Sequence, residues 1–259
     1  MSILHSTIIG NSGQDLLILH GFLGMSDNWK THAKNWSKIG YRVHLIDQRN
    51  HGRSFWSNDF SYMLMANDLA EYCKAYKLRN ILILGHSMGG KTAMYFACKS
   101  PELLKAMVVV DIAPKKYVPR HHKILQGLTK LNFDQIKTRN EADSFLSKFI
   151  LEPEVRMFLL KNLYWEQPGK LGLRINIKVL KNKSDAISEN LKSDMQSLHP
   201  CLFIKGQLSD YILDTDALLI QHYFPKAQQV IIKDAGHWLH AEKPVVFFDA
   251  VSQWLTGNT

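Results

Sequence analysis

The stretch LGHSMGGKT, residues 84–92, places one serine between glycines, directly after the apolar run Ile81-Leu82-Ile83. Ser87 is the central residue of the pattern G-x-S-x-G, and glycines two positions before and after it allow a sharp backbone turn. When such a turn joins a strand to a helix, it projects the serine oxygen from the carboxyl edge of a sheet. The context therefore predicts a nucleophile; the alternative is a tight turn without chemistry.

Short apolar runs recur along the chain, with amphipathic stretches between them. The runs at 16–19, 42–46, 81–84, 106–110, 201–204 and 229–232 are typical of strands buried on both faces, and 3–9 of an edge strand. The stretches near 62–76, 91–100, 214–223 and 244–255 are typical of helices. This alternation predicts an α/β fold, with a mostly parallel central sheet flanked by helices.

The alternation is interrupted between residues 115 and 197. This segment, called the cap segment below, has the pattern of several helices, near 120–131, 140–149, 153–162 and 184–197, with prolines at 119, 153 and 168 between them. We therefore expect residues 1–114 and 198–259 to form the sheet domain and residues 115–197 to form an inserted helical cap.

The net charge of +9 is concentrated in the cap segment, which holds sixteen Lys or Arg residues against nine Asp or Glu residues. A solvated basic surface is the simpler interpretation, because lysine is common on surfaces. The alternative is a positive lid that attracts anionic substrates. Nucleic-acid binding is not predicted, because the chain has no motif of a known nucleic-acid-binding class.

Composition also indicates a location and excludes some classes of protein. No apolar stretch approaches the roughly 18–20 residues that cross a bilayer, and the N-terminus lacks the features of a signal peptide. Three widely separated cysteines argue against a disulfide framework. We therefore expect a cytoplasmic protein with no membrane or nucleic-acid partner, and the sequence leaves open whether it forms a homodimer.

A serine that attacks a carbonyl needs two donors for the oxyanion. The backbone N–H of Met88, directly after the nucleophile, is one candidate. The loop His20-Gly21-Phe22-Leu23-Gly24 follows the predicted strand at 16–19, and the Phe22 N–H is the second candidate. Loss of one such donor typically costs about a hundred- to a thousandfold in rate.

The predicted base is His237, which follows the last predicted strand and gives the chain order serine, acid, histidine. Two aspartates compete for the role of the acid. Asp111 directly follows the strand at 106–110, at the sheet edge where catalytic groups gather. Asp210 follows the next strand but lies one residue beyond the aspartate position of a G-x-x-D pattern, which Ser209 occupies. Asp111 is favoured, Asp210 is the alternative, and Ser209 is a candidate supporting residue.

These motifs resemble those of the α/β-hydrolase superfamily over essentially the whole chain. DQRNHGRS at 47–54, GHSMGGK at 85–91, DIAP at 111–114 and AGHWLHAEKP at 235–244 are more narrowly similar to the YbfF-type bacterial acyl esterases. The resemblance implies hydrolysis of carboxylic esters with short to medium acyl chains, and activity on acyl-CoA thioesters. It also implies an acid at Asp111 with Ser209 at the later position.

The sequence thus predicts a serine esterase or thioesterase for a small-molecule acyl ester or thioester, with no cofactor and no metal. Candidate residues of the substrate pocket are Leu23, Trp165, Tyr211 and Trp238, in addition to Phe22 and Met88. Two alternatives remain open on the same scaffold. One is a cofactor-free lyase in which His237 abstracts a proton, and the other is a non-hydrolytic ligand sensor.

Overall fold

Strands and helices alternate along most of the chain in the structure, a computed structural model that describes residues 2–258. The strands are β1 (Ser6–Ile9), β2 (Gln14–Leu19), β3 (Tyr41–Ile46), β4 (Ile81–His86), β5 (Leu104–Val110), β6 (Leu163–Gln167), β7 (Lys170–Leu173), β8 (Cys201–Gly206) and β9 (Ala227–Ile232). The α-helices are α1 (Lys30–Lys38), α2 (Tyr62–Ala75), α3 (Met88–Lys99), α4 (His122–Thr129), α5 (Arg139–Leu146), α6 (Pro153–Leu160), α7 (Ile177–Asn182), α8 (Ala217–Tyr223), α9 (Leu239–Glu242) and α10 (Pro244–Asn258).

Seven strands form one sheet, in the order β1-β3-β2-β4-β5-β8-β9. β1 runs antiparallel to β3 at one edge, and the other neighbours are parallel. The predicted mostly parallel sheet flanked by helices is therefore confirmed. The chain crosses from β3 on one side of β2 to β4 on the other, so the loops after β2 and β4 meet where the strand order reverses. Ligand sites of open α/β sheets form at such a point.

Alternate residues of the central strands are buried on opposite faces of the sheet. Leu17 and Ile83 pack in a cluster with residues of α2 and α3, whereas Leu16 and Leu82 pack with residues of α1 and α10. Each fully buried side chain of this size contributes roughly 1.5–3 kcal/mol through the hydrophobic effect. The two-sided burial holds the carboxyl ends of β2, β4 and β5 in a fixed relation.

The cap segment lies between β5 and β8 and adds no strand to the seven-stranded sheet within the described residues. Helices occur at 122–129, 139–146 and 153–160, close to three of the predicted positions. Residues 163–173 instead form an antiparallel hairpin of β6 and β7, and α7 follows it. No helix of the described chain is both long and apolar enough to cross a membrane.

The helix predicted near 184–197 is wrong: a short 3₁₀ turn over Ser184–Ser188 is followed by irregular chain. The physical reason lies in its carbonyl groups, which accept hydrogen bonds from side chains of the sheet domain. The Tyr62 hydroxyl donates to Ile187 O, and the Tyr95 hydroxyl donates to Asn190 O. A helix would use these carbonyls internally, so tertiary contacts override the amphipathic pattern.

Candidate active site

Ser87 lies at the junction of β4 and α3 in a strained backbone conformation, with φ of +51° and ψ of −117°. A β-carbon at Gly85 would lie 2.2 Å from Gly89 O, and one at Gly89 would lie 2.3 Å from Leu19 O. Both glycines are therefore required by the close approach of the turn to itself and to the end of β2. Strain of this kind is concentrated at functional sites, where the surrounding structure maintains it.

Two backbone N–H groups beside this turn have no hydrogen-bond acceptor within the described residues. The Met88 N–H is in the first turn of α3, where no intrahelical acceptor exists. Neither the Met88 N–H nor the Phe22 N–H donates a hydrogen bond to any described residue. The Phe22 loop touches the serine turn, because a β-carbon at Gly21 would lie 3.5 Å from Ser87 Cβ.

Buried histidines hold the loop that carries Phe22. His20 Nε2 accepts the Gln48 N–H at 3.0 Å, while its Nδ1–H donates to Gly21 O at 2.8 Å. His51 Nε2 accepts the Leu23 N–H at 3.2 Å. Burial lowers the pKa of His20 and brings the pKa of His51 down to about 3, so both rings are neutral acceptors. The loop is thereby fixed by groups outside it.

The imidazole of His237 meets the carboxylate of Asp111 across the carboxyl edge of the sheet. His237 Nδ1 lies 2.7 Å from Asp111 Oδ2, and the Asp111 side chain is fully buried. Asp111 Oδ1 accepts the Gly206 N–H at 3.2 Å, and Oδ2 also accepts the Ser209 hydroxyl. An Nδ1–H that donates to the carboxylate leaves Nε2 of the ring unprotonated and able to accept a proton.

The alternative acid, Asp210, points elsewhere. Its carboxylate accepts from Arg120 at 2.6 Å in an exposed ion pair, and this hydrogen bond lowers the pKa of Asp210. The structure thus brings Asp111 and Ser209 to the His237 ring and leaves Asp210 paired with Arg120.

One cavity of about 260 Å³ joins Ser87 to His237. It is lined by Gly21, Phe22, Leu23, His86, Ser87, Arg120, His121, Ile124, Val155, Phe158, Leu159, Tyr211, His237 and Trp238. No hydrogen bond joins the Ser87 hydroxyl to the imidazole here. In free enzymes such catalytic contacts are often long and shorten only when substrate binds.

Four of the six predicted pocket residues line this cavity, namely Phe22, Leu23, Tyr211 and Trp238, whereas Met88 does not. The Tyr211 ring stacks on the imidazole of His237, with ring centroids 3.8 Å apart and planes inclined by 15°. The structure places Trp165 outside this cavity. Its side chain is 59% exposed on β6, in the hairpin that the sequence analysis did not predict, and it does not line the cavity.

Residues of the cap segment that line the cavity were not predicted from the sequence. Val155, Phe158 and Leu159 on α6 line the cavity, and their i, i+3, i+4 spacing is a readable apolar helix face. Phe158 lies against Trp238, with ring centroids 5.9 Å apart. His121 packs edge-on against Phe22 at 5.1 Å, and burial lowers the pKa of His121 to about 4.

His86, next to the serine, supports the loop that carries His237. Burial lowers the pKa of His86 well below its usual value, and its Nε2–H donates to His237 O at 2.9 Å. This bond holds the backbone of His237 beside the Ser87 turn.

Within the described part of the chain, no group of three or more His, Cys, Asp or Glu side chains is arranged to hold a metal ion.

The loop DQRNHGRS braces the site from outside the cavity. Arg49 makes a two-pronged ion pair with Asp68, with distances of 2.5 and 2.8 Å, and donates to Asp59 O at 2.9 Å. Asp47 accepts the backbone N–H groups of Ser26 and Arg53. These contacts show that Arg49 stabilises the conformation of the loop.

The chain is similar to known proteins in both sequence and structure. Residues 16–244 match a family model described as the alpha/beta hydrolase fold. The chain is 36% identical over 247 residues to the sn-1-specific diacylglycerol lipase ABHD11 of Danio rerio, covering 93% of this chain and 78% of the relative. It is 32% identical over 248 residues to Esterase YbfF of Escherichia coli (strain K12), covering 95% of this chain and 94% of the relative.

A solved structure described as a marine microorganism esterase superimposes on this chain with a TM-score of 0.94. The two sequences are 42% identical, and the match covers 98% of this chain and 100% of the other. The similarity therefore extends over both the sheet and the cap segment.

Proposed function

The chain belongs to the α/β-hydrolase family and is a carboxylic ester hydrolase, and on that premise we propose that it acts through an acyl-enzyme on Ser87. The observation that carries the proposal is the 2.7 Å contact between His237 Nδ1 and Asp111 Oδ2 beside the cavity that Ser87 lines. A serine hydroxyl is a poor nucleophile near neutral pH and needs such a base.

The reaction proceeds in two halves. His237 Nε2 takes the proton of the Ser87 hydroxyl as its oxygen attacks the acyl carbon, and the same proton then passes to the leaving alcohol or thiol. A water molecule activated by His237 next attacks the acyl-enzyme and releases the carboxylic acid. Asp111 holds the Nδ1–H tautomer and stabilises the imidazolium that forms in each half, and Ser209 supports its carboxylate.

The oxyanion of each tetrahedral intermediate is bound by the free N–H groups of Phe22 and Met88. These donors are fixed before substrate arrives, because the His20 and His51 bonds hold one loop and the start of α3 holds the other group. Donors that need no reorganisation are more effective in a site from which water is excluded.

The cavity favours a short to medium acyl chain, because its walls are mainly apolar and its volume is about 260 Å³. Leu23, Phe158 and Trp238 supply apolar wall, and the cap segment acts as an inserted domain that covers the serine. Two relatives are named a diacylglycerol lipase and an esterase. We include thioesters, acyl-CoA among them, in the proposed substrates, because the basic cap segment would attract an anionic leaving group such as coenzyme A.

A reducing compartment, the cytoplasm, is part of the proposal. Cys73, Cys98 and Cys201 are free thiols, and burial raises the pKa of Cys73 and Cys201 to about 12. Thiols of this kind are inert packing groups. Formation of a homodimer stays a prediction.

A fluorophosphonate probe combined with ester turnover tests the proposal. We expect the probe to label Ser87 and a series of p-nitrophenyl esters, from acetate to decanoate, to be hydrolysed. Ser87→Ala should abolish both signals, whereas Ser100→Ala, at the far end of α3, should leave both intact. Labelling without turnover of any ester or thioester would replace the proposal with the lyase or the sensor.

A further inference from the structure

Lys91 is a buried lysine that the proposed mechanism does not use. It lies one helical turn after Ser87 on α3 and is 1% exposed. Its ammonium donates to Lys115 O at 2.8 Å and to Glu189 O. It also lies 4.7 Å from the centre of the Tyr117 ring, within the range of a cation–π contact.

The two acceptors of Lys91 belong to two chain stretches near the two ends of the cap segment. Residues 113–118 form the outgoing arm, and residues 187–191 form the return arm. The arms pair through Leu191 N–H to Pro114 O at 2.9 Å and Tyr117 N–H to Ser188 O at 2.8 Å. One ammonium therefore joins both arms to the helix that begins at the nucleophile.

The outgoing arm leads directly to the proposed base. The Tyr117 hydroxyl accepts the Ala113 N–H at 2.8 Å and donates to Tyr211 O at 2.6 Å. The Tyr211 ring in turn stacks on the His237 imidazole at 3.8 Å. The position of the arm is thus transmitted through two tyrosines to one face of the ring that must accept the serine proton.

We propose that Lys91 is a positioning residue: by fastening both arms of the cap segment to α3, it sets the place of Tyr117 and Tyr211 and so the orientation of the His237 ring. This inference rests on the proposed function and adds a residue to it. A misplacement of about 1 Å caused by a remote substitution can cost about a hundredfold in rate, so such a tether is worth retaining.

The energetic cost of Lys91 argues for a role beyond folding. Burial lowers the pKa of Lys91 to about 7, with the Glu189 carboxylate opposing that shift and Lys115 adding to it. An ammonium removed from water is costly unless it is well paired. A methionine of similar length has no charge to desolvate, so stability alone does not favour lysine at this position.

Lys91→Met tests the inference, with Lys99→Met, at the exposed end of the same helix, as the matched control. We measure kcat for p-nitrophenyl acetate per fluorophosphonate-labelled site, so that unfolded molecules are not counted. A tenfold or greater loss in Lys91→Met, with Lys99→Met like the wild type, is the expected result. A lysine that serves only folding would lower the number of labelled sites and leave kcat per site unchanged, which overturns the inference.

Tyr117→Phe keeps the test decisive if Lys91→Met does not fold. It retains the ring that faces Lys91 and removes the hydroxyl that joins Ala113 N–H to Tyr211 O. We expect a loss of kcat per labelled site here too, and unchanged turnover would overturn the path from the arm to His237. Failure of the wild type to be labelled would instead refute the proposed function, so the two failures are distinct.

Discussion

At the scale of single residues, replacement of the buried carboxylate of Asp111 has a large predicted effect. Asp111→Asn would place an amide against His237 Nδ1, and the amide N–H₂ favours the tautomer with the proton on the wrong nitrogen. We expect kcat for a simple ester to fall about ten-thousandfold. Steady-state kinetics with p-nitrophenyl acetate measures this loss.

Asp210→Asn is the matched control for this prediction. It removes an exposed partner of Arg120 and leaves the imidazole contacts intact, so we expect kcat within about threefold of the wild type, as exposed ion pairs contribute little. A larger loss in Asp210→Asn than in Asp111→Asn would move the acid to Asp210.

The positions of these residues were accessible from sequence because they depend on local backbone constraints. Gly85 and Gly89 are needed at fixed offsets from Ser87, since a β-carbon at either would overlap a backbone oxygen. Asp111 follows a buried strand directly, so its place at the sheet edge follows from the strand alone. Lys91 was not accessible, because its two acceptors lie 24 and 98 residues away in sequence.

At the scale of elements, α6 forms one wall of the cavity. Phe158 is the largest apolar side chain that α6 contributes to this wall. Phe158→Ala would remove the ring that packs against Trp238. Loss of a buried contact of this size, about 1.5–3 kcal/mol, raises KM for a p-nitrophenyl octanoate roughly tenfold or more. KM for the acetate, whose acyl chain is much shorter, should change much less.

Met157→Ala is the control for the α6 variant, because Met157 is next in sequence and 64% exposed. It should leave the dependence of KM on chain length as in the wild type. Equal changes for acetate and octanoate in Phe158→Ala would mean that α6 does not contact the acyl chain.

The cap segment shows where sequence patterns stop being informative. The amphipathic face of α6 is readable as Val155, Phe158 and Leu159, but the pattern does not say which surface it covers. The stretch 184–197 has helical spacing and yet forms a 3₁₀ turn followed by irregular chain, because tyrosines of α2 and α3 bind its carbonyls. Trp165 was placed in the pocket as a large apolar residue, whereas a two-stranded hairpin exposes it.

At the scale of the whole molecule, buried neutral histidines couple folding to pH. The pKa of His51 is lowered to about 3 by burial, against an ordinary value near 6.5. Between these values the unfolded chain binds a proton that the folded chain does not, so the free energy of unfolding falls as the pH drops from about 6.5 towards 3. Each such group contributes up to about 1.4 kcal/mol per pH unit.

Urea unfolding from pH 7 to pH 4 measures this slope. His51→Gln retains an acceptor for the Leu23 N–H but gains no proton, so its free energy of unfolding should fall less steeply with acid than that of the wild type. Identical slopes in the two proteins would show that His51 does not contribute to acid sensitivity.

The charge distribution of the molecule makes the salt dependence of turnover a test between an ester and an acyl-CoA substrate. The cap segment holds an excess of seven positive charges, and Arg120 lines the cavity itself. Screening at higher ionic strength shortens the range of attraction from roughly 10 Å at 0.1 M salt to about 3 Å at 1 M.

If the cap segment receives the phosphates of coenzyme A, kcat/KM for octanoyl-CoA should fall at least tenfold between about 0.05 M and about 0.5 M salt. The neutral p-nitrophenyl octanoate, with the same acyl chain, is the control and should change less than twofold. Equal responses of the two substrates would leave the cap segment as a solvated basic surface and remove acyl-CoA from the proposed substrates.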